Sequence, residues 1–338
     1  MKRGIRESVA VSAALLAVLF ILPLLVIVPF RSELLTREPP VDETEGEPFA
    51  SGDLDSRTVL KVKSGDTVEE MDLGTYLVGV VRAEMPASFE EEALKAQAVA
   101  ARTYALNKGS TQNHPDADLC TDYACCQAWI ARADAMSNWG DNAVAYANKI
   151  TTAVAETGNQ VILYDGQLID AVFHSSSADA TKDAVEVWGN SVPYLQSVSS
   201  PEGEGVPNYQ SQVTLTPQQF QEAFLAAQPE AVFGDDPAAW VGQTAQNEAG
   251  SVQSVTIGGV TVTGAQARQI FSLRSATFTL TYDGANFVFD VTGFGHGVGM
   301  SQYGADAMAA EGKDYVEILQ HYYTGVTVEE CPADLLPQ

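Results

Sequence analysis

The sequence predicts an α+β fold, a two-lobed ectodomain with a central cleft behind one N-terminal transmembrane helix. Three observations lead there. A single uncharged apolar run opens the chain. Strand-like alternation and helical spacing then mix without regular βαβ order. An acidic, Pro- and Gln-rich stretch followed by two hairpins separates two helix-containing blocks. The 338 residues are 46% hydrophobic and 18% charged, a balance that can bury a core despite a net charge of −26. That charge repels polyphosphate, so nucleic acid is excluded as a partner. Four cysteines are too few for a disulfide scaffold.

The run from Val9 to Phe30 (VAVSAALLAVLFILPLLVIVPF) suits the ~20 residues that cross a bilayer. Lys2, Arg3 and Arg6 precede it, which keeps the N-terminus cytoplasmic and sends the rest outward. A cleaved signal peptide has a shorter apolar region and a small-x-small site, whereas this run ends in Pro-Phe-Arg-Ser. Residues 1–31 are therefore expected to be a cytoplasmic tip and anchor. Residues 32–57, rich in Pro, Gly and acids, are expected to be a solvated linker.

The folded part is expected from Thr58, with a strand over Thr58–Val62. In TYLVGVVRAEMP, Tyr76, Val80 and Glu84 share one helical face, and Pro86 ends that helix near Glu84. Ser88 and Glu91 have the spacing of a capping box opening a second helix, which Gly109 stops. Gln160–Tyr164 and Leu168–Phe173 flank an Asp-Gly hairpin signal. A helix is expected over Pro217–Leu225. Hairpins follow at Gly258-Gly259 and Asp283-Gly284, and two helices close the chain at about Ser301–Ala310 and Asp314–Tyr322. Residues 58–200 and 290–330 are expected to form a core unit, with 201–289 inserted as a second lobe.

Glu84 carries the most chemical information. A carboxylate on the apolar face at a helix C-terminus is penalised by burial and by the helix dipole, and both favour the protonated acid. A raised pKa suits a general acid. The structural alternative is a pair with Arg82 or Arg102. Arg102, on the apolar face of its own helix, wants a buried anion, either Glu84 or a ligand. His114, Cys120 and Cys126 are spaced six and six in NHPDADLCTDYACCQAW, a donor set that suits Zn²⁺, with water, Asp116, Asp118 or Asp122 as a fourth ligand. Outside the cytoplasm the competing use is a disulfide within Cys120, Cys125 and Cys126, or from one of them to Cys331. A Cys/His hydrolase using Cys125 or Cys126 with His174 or His296 has no spacing to support it. In GFGHGVGMSQYGADAMA the glycines miss the dinucleotide-loop spacing at Val298. They are expected instead to allow close backbone approach, carrying His296 and Gln302.

Three segments in order, YLVGVVRAEMPASFEEEALKAQAVAARTYAL, FHSSSADATKDAVEVWGNSVPYLQSV and GFGHGVGMSQYGADAMAAEGKDYVEILQHYYTGV, resemble the stage II sporulation protein D family of peptidoglycan lytic transglycosylases. The resemblance implies cleavage of the β-1,4 bond between N-acetylmuramic acid and N-acetylglucosamine. It implies a preference for strands stripped of stem peptides by a partner amidase, and 1,6-anhydro ends. Glu84 would act as acid and then base. Ordinary glycosidases pair two carboxyls, whereas here the sugar's own 6-hydroxyl replaces water.

By motif position, Arg102, Ser175, Ser176, Tyr194, His296 and Gln302 are candidate substrate contacts. Some family members are similar in binding zinc through one His and two Cys at this spacing, which implies Zn²⁺ on His114, Cys120 and Cys126. The family's setting implies glycan strands, an amidase and a membrane scaffold of the sporulation machinery as partners. It also implies a location in the mother-cell membrane facing the septal space during engulfment. Ala178-Asp179 stand where the family usually has two glycines. The competing functions are a non-catalytic glycan-binding scaffold and a peptidoglycan hydrolase giving reducing ends.

Overall fold

A computed structural model describes residues 53–336 apart from 110–113, 204 and 248. The Val9–Phe30 run and most of the acidic linker lie outside the described residues. Among the described residues no helix is long and apolar enough to cross a membrane.

The order begins with helix α1 (Asp53–Arg57), the antiparallel pair β1 (Val59–Ser64) and β2 (Thr67–Asp72), and helices α2 (Leu73–Glu84) and α3 (Glu91–Gly109). The linker expected to run to Arg57 thus already folds at Asp53, and Leu54 and Asp55 are buried. Asp72 caps α2 by accepting from Thr75 N–H at 2.8 Å. The helix ends at Glu84, as Pro86 requires. Ser88 does not cap α3, which corrects the capping-box expectation. Phe89 N–H donates to the Pro86 carbonyl in a turn, so the helix opens only at Glu91.

Helix α3 is the axis of the main core. Ala93, Ala96, Ala98, Ala100, Ala101 and Ala105 are all fully buried. A helix buried all round has no amphipathic stripe, and its alanines let neighbours approach on every side. Against it pack α2, α5 (Ala143–Glu156), α9 (Gln302–Ala310), α10 (Tyr315–Tyr322) and β4 (Gln160–Tyr164). The short strand β3 (Leu119–Cys120) joins β1 in parallel, and helix α4 (Arg132–Trp139) leads into α5.

Strand β4 pairs with β5 (Gln167–Leu168) across the expected Asp165-Gly166 turn. The chain then leaves that sheet, because β6 (Phe173–His174) pairs in parallel with β13 (Met300–Ser301). Helix α6 spans Ala184–Trp188, and β14 (Thr327–Glu330) closes the sheet on β4.

A second aromatic core lies between residues 213 and 291. The antiparallel sheet β11 (Phe278–Tyr282), β12 (Phe287–Thr292) and β7 (Gln210–Leu215) contributes Phe278, Phe287 and Phe289, and α7 (Pro217–Ala227) contributes Phe220 and Phe224. Phe220 stacks on Phe287 with centroids 3.9 Å apart. The sheet of β8 (Val241–Gln246), β9 (Val252–Ile257) and β10 (Val260–Thr263) and helix α8 (Gly264–Ile270) complete it. Both hairpin turns fall where the glycines predict them. The mixture of helices and mostly antiparallel small sheets is α+β.

Candidate functional site

Three segments far apart in sequence converge on Glu84. The residue ends α2, half-buried. Its Oε1 accepts from Ala128 N–H at 2.8 Å. Its Oε2 receives only a long contact, 3.4 Å, from Gln302 Nε2 at the first turn of α9. Gln302 Nε2 is also 3.4 Å from Gln97 Oε1 on α3. Burial raises the Glu84 pKa, while the Ala128 and Gln302 donors hold it back. No charged side chain contributes to the shift, and no ion pair to Arg82 or Arg102 forms among the described residues. Because Oε1 is occupied, Oε2 is the oxygen free to carry an exchangeable proton.

The raised pKa has a consequence for stability. Between the unfolded value of about 4.3 and the raised folded value, the folded chain holds the proton more tightly, so stability is lost as pH rises through that window. Glu84→Gln removes the ionisation. The variant is expected to melt above the wild type at pH 7 and level with it below pH ~4, read by thermal unfolding at both pH values. A lower Tm at pH 7 would show that the carboxylate is favoured in the folded state.

The glycine segment is what brings Gln302 here. Gly299 has φ 72°, and a Cβ there would lie 2.1 Å from the Val172 carbonyl oxygen; at Gly293, φ 79°, it would lie 2.8 Å from the Ser176 carbonyl oxygen. Only glycine lets the 293–299 loop lie on residues 172–176. Ser301 then caps α9 by accepting from Gly304 N–H.

The other expected contacts are dispersed. Arg102 is fully buried and forms a two-pronged pair with Asp55, Nε to Oδ1 and Nη2 to Oδ2 both at 2.7 Å. Its remaining donors reach the carbonyls of Gln160 and Val154. Its anion is therefore Asp55, not Glu84 or a ligand. Ser176 is buried and exchanges backbone bonds with Phe294, and the Ser175 carbonyl accepts from Tyr303 N–H. The Tyr194 hydroxyl accepts from Asp170 N–H at 3.0 Å. His296 packs between His174 and Trp188, with centroids 5.6 Å from each, and burial holds its pKa down at about 4. Asp179 takes a left-handed φ of 63° that Asp tolerates and Gly takes freely. With Ala178 it borders an open cavity of about 610 Å³.

His114, Cys120, Cys125 and Cys126 form one cluster whose donor atoms lie within 4.8 Å of one another. His114 Nε2 is 3.4 Å from the Cys126 sulfur and 3.7 Å from that of Cys125, and the two sulfurs are 4.0 Å apart. Tetrahedral ligands at zinc bond lengths sit ~3.5–3.8 Å apart, so the set can hold a metal ion. All four cysteines are free thiols, and Cys331 stands outside the cluster. The fourth donor is Cys125, not an aspartate: Asp116 pairs with Lys63, Asp118 accepts from Lys61 N–H, and Asp122 accepts from Ala124 N–H. Burial and neighbouring sulfurs push the Cys126 thiol up to about 12.

Sequence reasoning did not find Gln97, Asp55 or the Ala128 amide. Gln97 had a signal, as a lone amide in an alanine-rich stretch. Asp55 and a backbone N–H had none.

A family description, SpoIID: Stage II sporulation protein, matches residues 61–164. Stage II sporulation protein D of Bacillus amyloliquefaciens is 35% identical over 337 residues, 96% of each chain. The chain belongs to the stage II sporulation protein D family. The Bacillus subtilis (strain 168) protein of the same name is 37% identical over 276 residues, covering 80% of this chain and 78% of that one. A Bacillus subtilis protein named Amidase enhancer is 30% identical over 303 residues, 75% of this chain and 40% of its own length. As a family member the chain is a sporulation protein, and the matched residues 61–164 include the Glu84 helix, α3 and the thiol cluster.

Proposed function

We propose that this chain is a membrane-anchored lytic transglycosylase acting on peptidoglycan strands stripped of their stem peptides during spore engulfment. The observation that carries it is Glu84: a single half-buried carboxyl, raised by burial, held at one oxygen and touched by neutral donors only.

The acid form protonates the glycosidic oxygen as the bond to the anomeric carbon of N-acetylmuramic acid breaks. The resulting carboxylate, supported by Ala128 N–H and Gln302, then takes the proton of that sugar's 6-hydroxyl while its oxygen bonds to the anomeric carbon. The ring closes to the 1,6-anhydro product and Glu84 returns to the acid form. One carboxyl performs both transfers, so no second acid and no water are needed.

Zn²⁺ on His114, Cys120, Cys125 and Cys126 fits this reading as a structural ion, because four protein ligands leave no open position. The apolar run behind Lys2, Arg3 and Arg6 supports an N-terminal anchor in the mother-cell membrane with the folded part outside. An amidase that frees the strands is the expected partner.

Glu84→Gln is expected to lower formation of anhydro ends on peptide-free strands by ~10²–10⁴-fold, the usual weight of a general acid. Mass spectrometry of the products reads it, and full activity in the variant overturns the mechanism. A second reading is a glycan-binding scaffold that promotes an amidase, motivated by the relative named Amidase enhancer. In that case the variant keeps amidase stimulation and the wild type makes no anhydro ends. A hydrolase is separated by its products, which are heavier by one water.

A further inference from the structure

Behind His296, in the same 293–302 loop that delivers Gln302 to Glu84, lies a cavity of about 120 Å³ lined by Lys182, Glu186, Trp188, Arg268 and His296 among others. Pockets that enclose whole ligands run to roughly 300–1,000 Å³, so this one takes a small group. Lys182 is 6% exposed, and its Nζ is buried without a hydrogen-bond partner. Arg268 donates its Nε to the Arg274 carbonyl and forms no ion pair among the described residues. The one carboxylate in the wall, Glu186, is bonded by Asn247 Nδ2 at 3.1 Å and not by either cation. Two cations against one carboxylate leave one positive charge, which suits a monoanion rather than a doubly charged phosphate.

A buried, unpartnered ammonium is costly in any fold, and here burial and the charge of Arg268 hold the Lys182 pKa down to about 8. A bound carboxylate relieves both. At the cavity wall Trp188 remains 43% exposed beside His296, an aromatic face open to an adjoining sugar ring. His296 and Gln302, whose amide contacts Glu84, are six residues apart, so their Cα atoms lie within about 22 Å of each other.

We propose that this cavity reads the free lactyl carboxylate of peptide-free muramic acid, so that Lys182 and Arg268 select strands from which the stem peptide has been removed. The inference rests on the glycan-cleaving function above. When a stem peptide is attached, the lactyl carboxyl is an amide, uncharged and followed by bulk that a cavity of this size does not admit. Cutting that amide creates the anion and removes the bulk together.

The test is binding of peptide-free strands by the full-length Glu84→Gln chain, which leaves them uncut, compared with the same strands after lactyl carboxyls are converted to primary amides. Calorimetry is expected to show at least about tenfold weaker binding of the amidated strands. Adding Lys182→Met should remove the difference. Equal, tight binding of both strands to the Glu84→Gln chain overturns the carboxylate site and leaves the glycan function standing. A difference that survives both Lys182→Met and Arg268→Gln places carboxylate reading elsewhere and also overturns it. Binding of neither strand overturns the glycan function itself, and the carboxylate site with it.

Discussion

Asp55→Ala is expected to destabilise the folded chain by about 3–5 kcal/mol, because it leaves the Arg102 guanidinium buried without its anion. At the size of this domain that is a fall of roughly 10 °C in Tm. Both partners are fully buried, and the two 2.7 Å bonds match the fork of the guanidinium to the carboxylate. The pair ties the first folded turn to α3, 47 residues away. Arg102→Met alone should cost a similar amount by stranding Asp55. The double variant Asp55→Leu/Arg102→Met should recover much of the loss, since a well-packed apolar pair can replace a buried ion pair.

Thermal unfolding of the wild type, Asp55→Leu, Arg102→Met and the double variant gives the coupling energy directly. A substrate-contacting Arg102 would behave differently: Asp55→Ala would leave Tm in place and raise KM for glycan. That result would restore the role implied by family resemblance.

Losing the metal from the thiol cluster is expected to lower Tm and to cut anhydro-end formation about 10–100-fold, the usual weight of groups that position a site. The path runs through the backbone. Cys126 lies two residues before Ala128, whose N–H holds Glu84 at 2.8 Å. Between them Gln127 accepts from the Tyr76 hydroxyl on α2. An ion joining Cys120, Cys125, Cys126 and His114 would fix this loop against β1 and α2, and the loop would then fix the acid.

Without a cation, burial keeps the Cys126 thiol protonated and the clip has nothing to hold it. Chelation of the full-length protein, or Cys126→Ser, should therefore speed hydrogen exchange at the Ala128 amide as activity falls. Saturating metal at a hundred times its Kd would add about 3 kcal/mol of stability. Purified protein that holds no metal and has Cys120 and Cys126 oxidised would remove the clip from the account.

The parts governed by local rules were legible in the order of residues. Pro86 ended α2 at Glu84, Gly258-Gly259 and Asp283-Gly284 placed the hairpins, and the spacing of His114, Cys120 and Cys126 marked the thiol cluster. The glycines from 293 to 299 announced a close approach, though not to which strand.

Tertiary structure alone decided the rest, because the deciding contacts are long-range and often involve backbone. Arg102 asked for an anion on the apolar face of α3, but six acids stand in residues 53–72, and only packing selected Asp55. Ser88 and Glu91 had the right spacing for a cap, and the Pro86 turn took the backbone elsewhere. Cys125 became the cluster's fourth donor and third thiol because the turn at Asp122 brings its sulfur to His114. The environment of Glu84 depended on an amide at 128 and a side chain at 302, which no helical period connects. Periodicity reports which face of one element is buried; it carries no information about what arrives from another to meet it.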